Sequence, residues 1–182
     1  MYNKKMENKT HTNQTKESLL KSAHGFEAQL LPFFAKFPHI PENGRKVIAD
    51  IMPWLALIFG IIGLLVLLGA GALTTLLAIP ALFTGSIWVV TTFFTVILGI
   101  FSVVLQLLAV NPLKAKMKKG WNYIFYGLLI GVVSTIVSVI GAVGTTSSMY
   151  AGASAVSSLV SGALSLLIGG WLLFEIRDHF KS

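Results

Sequence analysis

No Asp, Glu, Lys, Arg or His occurs between Ile51 and Leu113, and none between Gly120 and Phe174. Crossing a hydrocarbon core of about 30 Å takes about 20 apolar residues as helix. Each run is long enough to cross twice. In hydrocarbon the backbone must satisfy its own polar groups, which leaves helices as the form for such runs. An all-α integral membrane protein with four transmembrane helices follows.

The composition agrees. The 182 residues are 54% hydrophobic and 12% charged, against about 45–50% and about 25% in soluble domains. The chain has no Cys, which excludes disulfides, thiol chemistry and Cys-ligated metals. The net charge of +7 is distributed unlike that of a nucleic-acid binder, with no basic groove interleaved with aromatics. Lys114, Lys116, Lys118 and Lys119 stand without an acid between the two runs. Lysines there set topology and meet anionic headgroups.

Residues 1–17 are rich in Lys, Asn and Thr and too poor in apolar side chains to order themselves. No apolar core follows the charged start, unlike a signal peptide. From Ser18 to Phe37, apolar residues recur every three or four positions: Leu19, Ala23, Phe26, Leu30, Phe33 or Phe34, and Phe37. That is the stripe of an amphipathic helix. It lies in the headgroup layer or against the cytoplasmic helix ends. Pro32 should kink or end it, and Pro38 and Pro41 mark a break. Residues 18–52 therefore form an interfacial cytoplasmic region.

The membrane domain is expected at 53–174, with spans near 54–72, 86–110, 121–143 and 153–174. Trp54, Trp121 and Trp171 suit the membrane–water boundary. The stretch 73–85, with Pro80 in its middle, is too short to span; it reads as an interfacial helix or a re-entrant segment. Residues 144–152 form a polar uncharged loop, and 175–182 a cytoplasmic tail. The positive-inside rule puts both termini and the lysine linker in the cytoplasm. A prokaryotic plasma membrane suits the Asn/Lys-rich start and compact loops.

The spans pair as two hairpins, with a weak internal duplication. Each half opens on a Trp (Trp54, Trp121), has Gly six residues later (Gly60, Gly127) and a Gly in its second span (Gly99, Gly169). The strongest local pattern is small residues at helical spacing. Gly127, Gly131, Ser134 and Ser138 stand in the third span; Ala153, Ser157, Ser161, Ser165 and Gly169 stand in the fourth. Small residues let helix backbones approach in lipid. The ladders join spans three and four, form a homo-oligomer face, or line a water path.

No catalytic constellation is visible. His11, His24, His39 and His179 all lie outside the spans, and no ligand cluster suggests a metal. The glycines sit inside apolar helices rather than in a phosphate-binding loop. Glu175, Arg177, Asp178 and His179 read as an interfacial ion cluster. Coupled transport needs an ionisable group within the membrane, and neither run holds one.

These features predict a non-enzymatic protein without cofactor, catalytic or metal site. Its role is structural, scaffold or accessory, working by helix–helix and helix–lipid contact. The alternative is a small oligomeric channel or transporter lined by Thr91, Thr95, Ser157, Ser161 and Ser165. The expected partners are the lipid bilayer and either a second copy or another membrane protein, with no nucleic acid. Helix packing falls to Gly127, Gly131, Ser134, Ser138, Ser157, Ser161, Ser165 and Gly169. Headgroup contact falls to Lys114, Lys116, Lys118, Lys119, Trp54, Trp121, Trp171, Phe33, Phe34 and Phe37.

Overall fold

Apolar side chains without charge make each run stable only as hydrogen-bonded helix, and every regular element among the described residues is helical. The computed structural model describes residues 18, 21, 22, 25–81, 83, 86–144 and 151–181. The polar arm 1–17 and most of the expected polar loop, 145–150, lie outside the described residues. The chain divides into two units, one ending at His39 and the other beginning at Ile40.

In the first unit, residues 25–34 are helical. Pro32 falls in the last turn, and a bond from the Ala35 N–H to the Leu31 carbonyl (2.9 Å) leads out of it. The rings of Phe33, Phe34 and Phe37 gather at centroid separations of 5.3–5.9 Å. Burial falls on Glu27 and Phe34, while Phe26 and Phe33 are exposed.

The second unit opens with α1 (Glu42–Val66), capped by Pro41 and carrying Glu42 in its first turn, where the helix dipole favours an acid. The sequence starts the first span near Trp54, after an interfacial region that ends at residue 52. In the structure Pro53 is buried inside one continuous helix. It removes one backbone bond, to Ala49, and the packed turns on either side hold the rest. A π-turn, Leu67–Gly71, leads directly into α2 (Ala72–Ala81). The expected interfacial or re-entrant segment is thus largely a continuation of the first helix. Gly69 and Gly71 weaken the α geometry there, and the hydroxyls of Thr74 and Thr75 both donate to the Gly71 carbonyl, at 3.0 and 2.8 Å.

Next come α3 (Ile87–Lys114), α4 (Lys118–Gly144) and α5 (Ala151–Glu175), then a 3-10 turn, Arg177–His179. Asn111 and Pro112 do not end α3, which runs two residues further. Four helices are long and apolar enough to cross a membrane: Glu42–Pro80, Ile87–Lys114, Lys118–Gly144 and Ala155–Glu175. Most of their large apolar side chains are exposed, Leu65, Leu68, Phe94 and Phe101 among them. A soluble monomer rarely shows so extensive an apolar surface; lipid would cover it here.

The helices pack in chain order, α1 on α3, α3 on α4 and α4 on α5. The approaches fix an antiparallel register. Gly60 faces Leu107, Gly63 faces Val103 and Gly99 faces Leu67. Gly141 faces Thr91, Gly144 faces Ile87, Gly162 faces Thr135 and Gly169 faces Leu128.

The tightest packing lies at the lysine-bearing end. Leu113, Trp121, Phe125, Leu173 and Ile176 are fully buried there. Trp121 stacks on Phe125 at 5.3 Å, and Phe174 meets both rings edge-on. Trp121 therefore does not belong to a headgroup belt: its Nε1–H donates to the Leu173 carbonyl at 2.7 Å. Its equivalent in the suggested duplication, Trp54, is exposed with Lys114 Nζ 4.7 Å from its ring.

The turn between α3 and α4 is built around Lys116, whose φ is +53°. The Met117 N–H reaches back to the Pro112 carbonyl (2.9 Å) and the Lys116 N–H to that of Leu113 (3.0 Å). This is a Schellman closure with a Lys where Gly is usual. A short parallel bridge ties the same turn to the tail: Lys118 N–H to Lys181 carbonyl (2.7 Å) and Lys181 N–H to Lys116 carbonyl (2.9 Å).

Candidate functional site

Charge within the second unit gathers at one end. Lys116 Nζ lies 2.6 Å from Asp50 Oδ1. Glu175, buried, accepts the Ile40 N–H at 2.9 Å and has Arg45 Nε at 3.7 Å. These contacts join α1 to the α3–α4 turn and to the foot of α5. Lys119 Nζ stands 5.8 Å from the Tyr123 ring, and Arg177 covers the buried face of Trp121 at 5.9 Å. The cluster of Glu175 and Arg177 is thus largely a fastening.

Away from that end the helices border a surface-open groove, a cavity of about 740 Å³. It extends along α3 from Trp88 to Gln106, a length of about 27 Å at 1.5 Å per residue. The first helix contributes Gly63, Val66, Leu67, Ala70, Gly71 and Thr74, so the π-turn forms part of the wall. Thr91, Thr92, Thr95, Ser102 and Gln106 come from α3; Ser134, Ser138 and Gly141 come from α4; Ser158 comes from α5. The polar lining carries no formal charge.

The hydroxyl protons are directed at the helices. Thr91 donates to the carbonyls of Ile87 (3.1 Å) or Trp88 (3.0 Å), Thr92 to Trp88 (2.8 Å) and Thr95 to Thr91 (2.8 Å). Such bonds satisfy a hydroxyl locally. Gln106 differs: its side-chain carbonyl oxygen is buried with no hydrogen-bond partner among the described residues.

The residues singled out from the sequence divide among several faces. Ser134 and Ser138 line the cavity, and Gly127 faces Ser102 at the limit of contact. Gly131 opens onto empty space. Ser157, Ser161 and Ser165 are exposed, whereas Gly169 reaches α4 beside Leu128. A strict step of four advances about 40° beyond a full turn each time, so from Ala153 to Gly169 the ladder turns by about 160°: Ser157, Ser161 and Ser165 stay within one outer arc, while Gly169 has come round to α4. The face of α5 that meets α4 runs instead through Ala155, Ser158, Gly162, Gly169 and Leu173. The five residues suggested as a pore lining do not share a face: Thr91 and Thr95 line the cavity, and the three serines point away from it.

Among the headgroup candidates, Trp54, Phe33, Lys114 and Lys119 are exposed, Phe37, Lys116, Lys118 and Trp171 are half-buried, and Phe34 and Trp121 are buried. The sequence reading missed the cavity role of Thr92, Ser102 and Ser158. Their spacing holds the only signal, since Thr92, Thr95, Ser102 and Gln106 recur at three, seven and four residues along one side of α3.

Four membrane-length apolar helices define the class, a multi-pass membrane protein. No family model, curated protein or solved structure matches the chain.

Proposed function

We propose that this chain is a non-enzymatic membrane protein with a structural, scaffold or accessory role, acting through helix–helix and helix–lipid contact. The observation that carries the reading is the outer face of α5. Ser157, Ser161 and Ser165 are exposed there, between Val156, Val160 and Leu164. A strip of small residues flanked by branched apolar ones lets a second helix approach closely in lipid. The partner is a second copy or another membrane protein. Both termini and the lysine turn face the cytoplasm, as the charge distribution favours. Lys114, Lys118 and Lys119 meet anionic headgroups, and the Phe33–Phe37 region lies in the same layer as an amphipathic helix.

The test is the mass of the full chain in lipid nanodiscs, compared with Ser161→Leu. An oligomer that dissociates in the variant, with helix content unchanged, supports the reading. A monomer that recovers no companion from its own membrane overturns it.

A further inference from the structure

We infer that the cavity beside α3 is a binding site for a neutral, hydroxyl-bearing amphiphile, a lipid alcohol of the surrounding membrane. The inference stands apart from the oligomeric role above and needs no second copy.

The lining sets the chemistry. A hydroxyl has one proton and two lone pairs. The protons of Thr91, Thr92 and Thr95 are given to backbone carbonyls, which leaves lone pairs for the cavity. The carboxamide oxygen of Gln106 adds a buried acceptor without a partner among the described residues. An unmet buried acceptor bears its desolvation cost without return, so the wall favours a guest that donates hydrogen bonds. No Asp, Glu, Lys, Arg or His stands in the lining. A charged guest would leave water with no counter-ion to receive it, and the guest is therefore neutral.

Size and shape narrow the class. A volume of about 740 Å³ lies within the range of about 300–1,000 Å³ for sites that enclose a small molecule. Val66, Leu67, Val96 and Val103 share the cavity wall with the hydroxyls. A short polyol would leave that apolar wall uncovered, whereas an alcohol with a hydrocarbon chain matches both parts. Its hydroxyl sits at Gln106, on the side of the lysine-bearing end, and its chain runs along Val103, Val96 and Leu67. The π-turn at Leu67–Gly71 forms the flank beside that chain; such turns recur at functional sites.

The experiment uses the full chain in phosphatidylcholine nanodiscs with a diazirine-tagged 1,2-diacylglycerol. Photolabelled peptides are mapped by mass spectrometry. Saturable labelling within 88–106 and 134–142, competed by untagged diacylglycerol and not by its 3-O-methyl ether, is the expected result. Gln106→Met keeps the volume and removes the acceptor; it should weaken competition about 2- to 10-fold. The ether comparison on the unaltered protein stands even if that variant misfolds. Equal competition by the ether, or unsaturable labelling spread over Phe94 and Phe101, would overturn the proposal. Competition by free glycerol and none by diacylglycerol would overturn the membrane source of the ligand.

Discussion

Lys116 holds its backbone at φ +53° while its Nζ reaches Asp50 Oδ1 at 2.6 Å, so one residue closes a helix and clasps another. A non-Gly residue in the left-handed region costs about 1 kcal/mol or more. Both side chains of this pair are well exposed, and solvent screens such ion pairs strongly. Lys116→Ala loses the pair and keeps the strain; Lys116→Gly loses the pair and relieves it. Unfolding titrations should rank the Gly variant above the Ala variant by about 0.5–1 kcal/mol. The reverse order would show that the added freedom of Gly in the unfolded chain outweighs the backbone strain relieved at this position.

Gly120 is a second point of the same turn where the backbone leaves no room. A Cβ there would lie 2.6 Å from the Leu113 amide nitrogen and 2.9 Å from the Pro112 carbonyl carbon. Neither is a flexible side-chain tip that could swing aside. Gly120→Ala should destabilise the protein by about 1–3 kcal/mol, the range for overpacking a tight site. A variant as stable as the parent would mean that the α3–α4 turn can yield to admit a methyl group.

Two neighbours on α5 separate internal packing from association. A Cβ on Gly162 would come within 2.5 Å of Thr135 Cγ2, whereas Ser161 points outward. Gly162→Leu should lower the thermal midpoint in detergent by several degrees. Ser161→Leu should leave that midpoint nearly unchanged and alter only the oligomer mass. Gly131→Leu belongs with Ser161→Leu, because nothing lies within 4 Å of a Cβ at that position.

Trp121→Phe removes the donor to the Leu173 carbonyl and leaves that acceptor buried. The cost should be about 1–3 kcal/mol, read as a lower denaturant midpoint. Trp54→Phe, on an exposed ring, should change the midpoint far less. Similar losses from both would place Trp121 in an ordinary boundary belt after all.

Orientation can be read chemically. A cysteine at Thr146, in the stretch that the sequence reads as a polar loop between the third and fourth spans, should react with an impermeant thiol reagent added to intact cells. Modification only after lysis would reverse the proposed topology.

The membrane helices were legible because they depend on composition over long windows. A charge inside hydrocarbon is costly enough that its absence from 51–113 and 120–174 carries the argument alone. Finer features depend on which faces meet. Trp121 carries the sequence signature of a boundary residue, yet the return of Leu173 and Phe174 beside it encloses its ring. The serine ladder of α5 looks like one stripe in the sequence but drifts around the helix by the mismatch between 4 and 3.6. The cavity is assembled by residues as distant as Gly63 and Ser158, and no local pattern announces that they converge. Pro53 reads as a span start and Pro80 as part of a short separate segment, but each lies within a helix, because packing and neighbouring bonds outweigh the one that each proline lacks.

The turn at 114–118 also imposes an order on assembly. Lys116 can meet Asp50 only after the first two membrane helices have been threaded and have returned the chain to the same face. The bridge between Met117 and Lys181 must wait until the next two have done so. The same few residues thus join the start of the first helix to the tail that follows the last, so each contact closes a stretch of chain that holds two membrane-length helices.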